Sequence, residues 1–241
     1  MDPQAQTGFI LWITGMNGTG KSSLARFVHQ RLSLIGRRAE LVDADDRAEL
    51  LTAGLGPSKD DRDLAVKRVG HVAKMLARNG VVAVCAALSP YREPREALRR
   101  ESRRFVEVFV DCPMEALLGR DPIYKKAMAG EVKNVPGVDD PYEPPSHAEV
   151  TVHSDQERTE AAALRIFQAL VDLKYLAPAE FGRLTGGQRP KRARPAGRGK
   201  AAGQGAGKPR ARPKAAGRPS ARQATKKAAA RAPAPRRQRK R

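Results

Sequence analysis

The stretch that most constrains this chain is Gly15-Met16-Asn17-Gly18-Thr19-Gly20-Lys21-Ser22, a G-x-x-x-x-G-K-[ST] pattern. It follows a short apolar run, Phe9 to Ile13, that reads as a buried strand. It precedes Leu24, Phe27, Val28, Leu32 and Ile35, which recur at close to helical spacing. Strand, glycine loop and helix in this order is the context in which the pattern binds phosphate. The glycines let the backbone curl until its N–H groups face inward. The first turn of the helix adds unpaired N–H groups and a partial positive charge. Gly15, Asn17, Gly18, Thr19, Gly20, Lys21, Ser22 and Ser23 are therefore the expected nucleotide-phosphate site. Lys21 should reach the terminal phosphates, and the Ser22 hydroxyl should ligate Mg²⁺.

The rest of the chain continues the alternation. Ala39 to Val42 reads as a strand that delivers Asp43-Ala44-Asp45-Asp46 at its carboxyl end, where open parallel sheets bind ligands. Those carboxylates suit two roles: handling a substrate hydroxyl, or capping a short helix that begins at Arg47. Ser58 to Asn79 reads as a long helix with Ser58 as its N-cap and Gly80 closing it. Val81 to Leu88 is a continuous apolar run suited to a central strand covered on both faces, and Ser89-Pro90-Tyr91-Arg92 follows at its end. The next predicted helix, Glu93 to Arg104, carries Arg95, Arg99 and Arg100 and reads as solvated. Phe105 to Asp111 is a further strand. The polar, proline-rich segment from Arg120 to Pro145 reads as a mobile lid whose cations approach a transferred phosphate. Glu149 to Val152 and Gln156 to Tyr175 complete the pattern as a last strand and a closing helix. The predicted class is α/β, a P-loop nucleoside-triphosphate hydrolase fold with a parallel five-stranded sheet, helices on both faces and a lid.

Charge divides the chain sharply. All 26 acidic residues precede residue 187, whereas 20 of the 46 basic residues follow it, so the net charge of +20 lies wholly in the tail. From Gly186 onward Lys, Arg, Ala, Pro and Gly dominate the composition, with no aromatic residue. Such a segment buries too little apolar surface to offset ordering, so a disordered tail is predicted. Its charge would attract polyanions, nucleic acid first among them, with little regard to sequence. The composition resembles the tails of histone-H1-like bacterial proteins. Cys85 and Cys112, the two cysteines, sit in apolar runs and read as reduced core thiols. Met1 to Thr7 lacks a leader pattern and no apolar run reaches membrane-spanning length, so a cytoplasmic protein is expected.

The motifs together resemble the adenylylsulfate (APS) kinase family over residues 9–170. The matching segments are Gly15 to Ser22, Asp43-Ala44-Asp45, Leu55-Gly56-Pro57-Ser58 with Asp61-Arg62, Arg68 to Lys74, Ser89 to Arg92, Arg120-Asp121-Pro122, Tyr124 to Ala127, Ala129 to Lys133, and Gly137 to Glu143. The resemblance implies transfer of the γ-phosphate of ATP to the 3′-hydroxyl of adenylylsulfate, with Mg²⁺. It implies catalytic roles for Lys21, Asp45 and Arg120. It implies acceptor contacts from Asp43, Asp45, Arg62, Leu88, Ser89 and Lys126, and a homodimer. It divides the chain into an N-terminal extension (1–8), the kinase-like domain (9–178) and the tail (179–241). Two family phenylalanines that clamp the acceptor's adenine fall on Pro57 and Val135, and other acceptor-side positions fall on Ala48 and Ala65. A kinase for a different small hydroxyl acceptor is therefore the second expectation. The third is a nucleic-acid-binding factor with a P-loop switch domain.

Overall fold

The computed structural model describes residues 7–44 and 48–186; for Ala48 and Glu49 only the backbone is described. Five strands, β1 (Ile10–Thr14), β2 (Ala39–Asp43), β3 (Val82–Ala87), β4 (Phe105–Asp111) and β5 (Val150–His153), form one sheet in the order β2-β3-β1-β4-β5. Every pairing is parallel. The central strand β1 is buried along its whole length, as its unbroken apolar sequence requires. Its register sets Thr14 beside Ala87 on one side and Phe109 on the other. The residue after Thr14 therefore leaves the sheet where the strand order reverses, the position at which such sheets form a ligand crevice.

Successive residues of β1, and Phe9 just before it, serve opposite layers. Phe9, Leu11 and Ile13 pack into a cluster with α1 (Lys21–Leu34), α7 (Thr159–Asp172) and α8 (Pro178–Thr185). Ile10 and Trp12 pack into a second cluster with α3 (Lys59–Arg78) and α4 (Arg92–Glu101). This two-residue alternation is what a strand covered on both faces must show. Ser58 caps α3 as predicted, accepting from the Asp61 N–H at 3.2 Å. The shorter helices α2 (Ala48–Leu51), α5 (Met114–Arg120) and α6 (Pro122–Met128) lie in the connections.

Three expectations change. The tail was placed from residue 179, but residues 178–185 form α8, whose Leu184 is buried in the first cluster. The physical reason is a buried pair, Arg37 with Glu180 at 2.7 Å, that fastens α8 to the body. The arginines of α4 are not a uniformly solvated face: Arg95 is 1% exposed and paired with Glu107, while Arg99 bridges Glu107 and Glu149. The lid is not merely polar. Tyr124, Ala127 and Val135 form a small core with Cys112 and Leu117, against which Met16 of the glycine loop packs. Residues 187–241, the predicted disordered tail, lie outside the described residues, as do residues 1–6 of the predicted N-terminal extension.

Candidate active site

The loop from Gly15 to Gly20 joins β1 to α1 and bends around a hollow of about 170 Å³ lined by Asn17, Gly18, Gly20, Lys21, Ser22, Ser23 and Asp121. Gly15 tolerates no side chain, because a Cβ there would lie 2.4 Å from the Val110 carbonyl oxygen of β4. Thr19 steadies the bend by donating its hydroxyl to the Met16 carbonyl at 2.9 Å. Lys21 is 4% exposed, and its ammonium donates to the same carbonyl at 2.9 Å. A buried cation thus sits beside the glycine loop at the N-terminus of α1, an arrangement that attracts a polyphosphate.

The other wall is built by residues far apart in sequence. Thr14 Oγ1 donates to the Leu88 carbonyl at 3.1 Å and shares hydrogen bonds with Ser89 Oγ (2.8 Å) and Tyr142 Oη (2.9 Å). Trp12 Nε1 also donates to Ser89 Oγ at 3.1 Å. Ser89, expected as an acceptor contact, is therefore 3% exposed with its hydroxyl held by the sheet. Its φ of +35° is left-handed, a region a serine occupies only when its surroundings hold it there. Burial raises the pKa of the Tyr142 phenol above its ordinary value.

The lid closes over this floor. Tyr124 donates to the Asn17 carbonyl at 2.8 Å. Gly137 packs so near Met16 that a Cβ would lie 2.5 Å from its sulfur. Asp139 accepts from the Asn134 and Val135 N–H groups at 2.9 and 2.8 Å. These bonds hold its carboxyl below the ordinary value, the Val135 bond contributing most. Tyr91 donates to the Asp140 carboxylate at 2.9 Å, and burial together with that carboxylate pushes its phenol up to about 12.

The predicted site residues fall into three groups. The glycine-loop residues come together as expected. Asp43 ends β2, is 1% exposed and lies 3.5 Å from Arg26, while Asp45 and the neighbouring Arg47 lie outside the described residues. Arg62 reaches into the lid, donating to the Asn134 carbonyl at 2.5 Å and lying 3.6 Å from Asp140. Lys126 is exposed. Arg120 is not among the residues that line the 170 Å³ hollow. It donates to the Ser154 carbonyl and hydroxyl at 2.9 and 3.0 Å, and lines a flanking hollow of about 200 Å³ with Thr19, Ser23 and Val152. Val135 is 2% exposed inside the lid core, and Pro57 is exposed. The sequence names Tyr91, Asp140 and Tyr142 only as members of segments shared with a family, without a role at the site, and it does not single out Thr14. The one signal for Thr14 is a hydroxyl residue ending the apolar strand immediately before Gly15. A larger hollow of about 840 Å³, lined by Thr7, His71, Lys74 and Arg104 among others, lies at the opposite end of the strands from the glycine loop.

A phosphate cradle at the carboxyl end of the central strand, roofed by a helical lid, defines a P-loop phosphotransferase domain. The sequence model of the adenylylsulphate kinase family matches residues 7–153. The chain is 44% identical over 174 residues to the adenylyl-sulfate kinase of Rippkaea orientalis, covering 71% of this chain and 96% of that protein. It is 43% identical over 169 residues to the adenylyl-sulfate kinase of Myxococcus xanthus, covering 68% and 91%. The solved APS kinase of Mycobacterium tuberculosis, in complex with AMPPNP and APS, resembles it with a TM-score of 0.64 at 35% identity, covering 68% of this chain and 98% of that one. The chain belongs to the adenylylsulfate kinase family.

Proposed function

We propose that this protein transfers the γ-phosphate of ATP to the 3′-hydroxyl of adenylylsulfate. The observation that carries the reading is the lid folded onto the glycine loop, with Tyr124 on Asn17 and Gly137 against Met16. The same segment is tied to the 88–92 loop through Glu143, whose N–H donates to the Pro90 carbonyl at 2.8 Å. ATP would occupy the cradle, and Lys21 would exchange the Met16 carbonyl for phosphate oxygens and offset the charge that spreads over the transferring group. Mg²⁺, ligated by the Ser22 hydroxyl, would neutralise the β- and γ-phosphates. Asp45 would orient or deprotonate the acceptor hydroxyl, with Asp43, Arg62, Leu88, Ser89 and Lys126 around the acceptor. Arg120 would act from the nucleotide side, where Ser154 holds it. The test is 3′-phosphorylation of adenylylsulfate by the full chain, with Lys21→Ala as the inactive control. A different hydroxyl acceptor is favoured by one observation, the burial in the lid core of Val135, which stands where the family resemblance places a clamping phenylalanine. An acceptor screen in which another alcohol far outperforms adenylylsulfate would replace the name of the substrate.

We infer a second, independent role for residues 187–241: non-specific binding of nucleic acid. Support comes from twenty basic and no acidic residues in that stretch beside a formally neutral body. Each phosphate neutralised should contribute about −0.9 to the slope of log affinity against log salt. Removing 187–241 should abolish duplex DNA binding and leave catalysis intact; equal DNA binding without the tail refutes the role. We place the activity in the cytoplasm, where ATP is available and Cys85 and Cys112 would stay reduced, as the free thiols they are here. No helix among the described residues is long and apolar enough to cross a membrane. A homodimer is the assembly we propose; light scattering of the full chain decides it.

A further inference from the structure

Arg95 has no place in the phosphate cradle or among the acceptor residues, yet it is one of the most deeply buried large side chains, 1% exposed. Its Nε donates to Glu107 Oε1 in β4 at 2.8 Å. One terminal nitrogen donates to the carbonyls of Ser89 and Tyr91 at 2.5 and 2.9 Å. The other donates to the Glu143 carbonyl at 2.6 Å. The four acceptors belong to three separate segments: a core strand, the 88–92 loop and the end of the lid. Two further bonds join the same loop and lid end, from the Glu143 N–H to the Pro90 carbonyl at 2.8 Å and from the Arg92 N–H to the Glu143 carboxylate at 2.7 Å. Tyr142, beside Glu143, lies 6.0 Å from the Arg95 guanidinium and carries the tie to Thr14.

We infer that Arg95 is a positioning residue that fixes the 88–92 loop and the lid's end to one another, so that the acceptor meets a preformed wall. Charge balance alone does not require this geometry. Glu107 already has Arg99 at 3.1 Å, and an ion pair needs no contact with three carbonyls. Ser89 is the point of strain, with a left-handed φ, and its carbonyl is one that Arg95 holds. A planar guanidinium can satisfy several fixed acceptors at once, whereas an ammonium on a flexible stem cannot hold the same fork. A wall held in place spares the acceptor the ordering cost of assembling it.

The inference rests on the kinase reading, so its test includes a readout that needs no acceptor. In the full chain, Arg95→Lys keeps a charge opposite Glu107 and gives up the fork. Amide hydrogen exchange should quicken in residues 88–92 and 140–145 and stay unchanged in 15–22. The KM for adenylylsulfate should rise about tenfold, with the KM for ATP and kcat within about threefold, because preorganisation is lost on the acceptor side alone. Tyr142→Phe removes only a hydroxyl and should move the same quantities less. Unchanged exchange at 88–92 and 140–145, or equal rises in both KM values, overturns the inference. Should Arg95→Lys fail to fold, Arg95→Gln, which keeps a donor towards Glu107 and gives up the fork, is measured in the same way, and unchanged exchange at 88–92 and 140–145 in it overturns the inference. If the wild-type chain does not phosphorylate adenylylsulfate, the kinase reading fails, and the exchange pattern still decides the role of Arg95.

Discussion

Glu180→Ala should destabilise the body far more than any exposed charge substitution. Arg37 Nε and a terminal nitrogen donate to the two Glu180 oxygens at 2.7 and 3.0 Å, and the guanidinium also donates to the Tyr175 carbonyl at 2.7 Å. Glu180 in turn accepts from the Ala177 N–H at 2.8 Å, closing the first turn of α8. Both side chains are nearly buried, at 7% and 10% exposure. Removing one member of a buried pair costs about 3–5 kcal/mol, because the remaining charge stays desolvated without its counterion. For a body of this size each kcal/mol lowers Tm by roughly 2–4 °C, so a fall of roughly 6–20 °C is expected. Urea titration should show a lower midpoint with an unchanged slope, the mark of altered stability without altered unfolding. The control is Arg100→Ala, which removes an exposed pair at 4.0 Å and should cost less than about 0.5 kcal/mol. A loss below about 1 kcal/mol for Glu180→Ala would refute the claim that this pair fastens α8. The same reasoning says that a chain ending at residue 178 should melt early, whereas one ending at 186 keeps Glu180 and the buried Leu184.

Other outcomes follow from the lid and the core. The Asp139 carboxyl is lowered in the folded protein, so its bonds to Asn134 and Val135 are complete above the ordinary carboxyl value and are lost as pH falls through the lowered one. The amide resonances of Asn134 and Val135 should titrate with a midpoint below about 3.9, and a midpoint above that value refutes the assignment. Gly137→Ala places a Cβ against Met16 at a φ of +89°, so lid closure should weaken and both KM values rise about tenfold; unchanged kinetics would show that the tip does not seat on the loop. Cys85 and Cys112 are buried, and burial pushes the Cys85 thiol well up, so neither should react with a thiol reagent at pH 8 until the protein unfolds. Labelling of the native chain at the rate of free cysteine would contradict that burial.

Local patterns along the chain were enough to define the cradle and its strand. A glycine loop needs only its neighbours in sequence to curl, and an apolar run of five residues has few ways to be buried. The Ser58 cap and the span of β4 were legible for the same reason, since each depends on contacts a few residues away. The lid core was not, because Val135 meets Leu117 and Tyr124 only after the connection folds back. Nor was α8, although Pro178 at its first turn and Glu180 two residues on were signals for a helix start. Among the arginines of α4, sequence offers no distinction between Arg95, Arg99 and Arg100. Their burial depends on Glu107, Glu149 and the lid's end, brought from up to 50 residues away. Arg120 likewise took its direction from Ser154, a partner 34 positions on. The sequence by itself determined a phosphate-binding α/β domain and its basic appendage, because both are written in short-range composition and spacing. Only tertiary structure decided which charges are buried and which way they point, because desolvation and pairing are set by what the rest of the chain brings alongside.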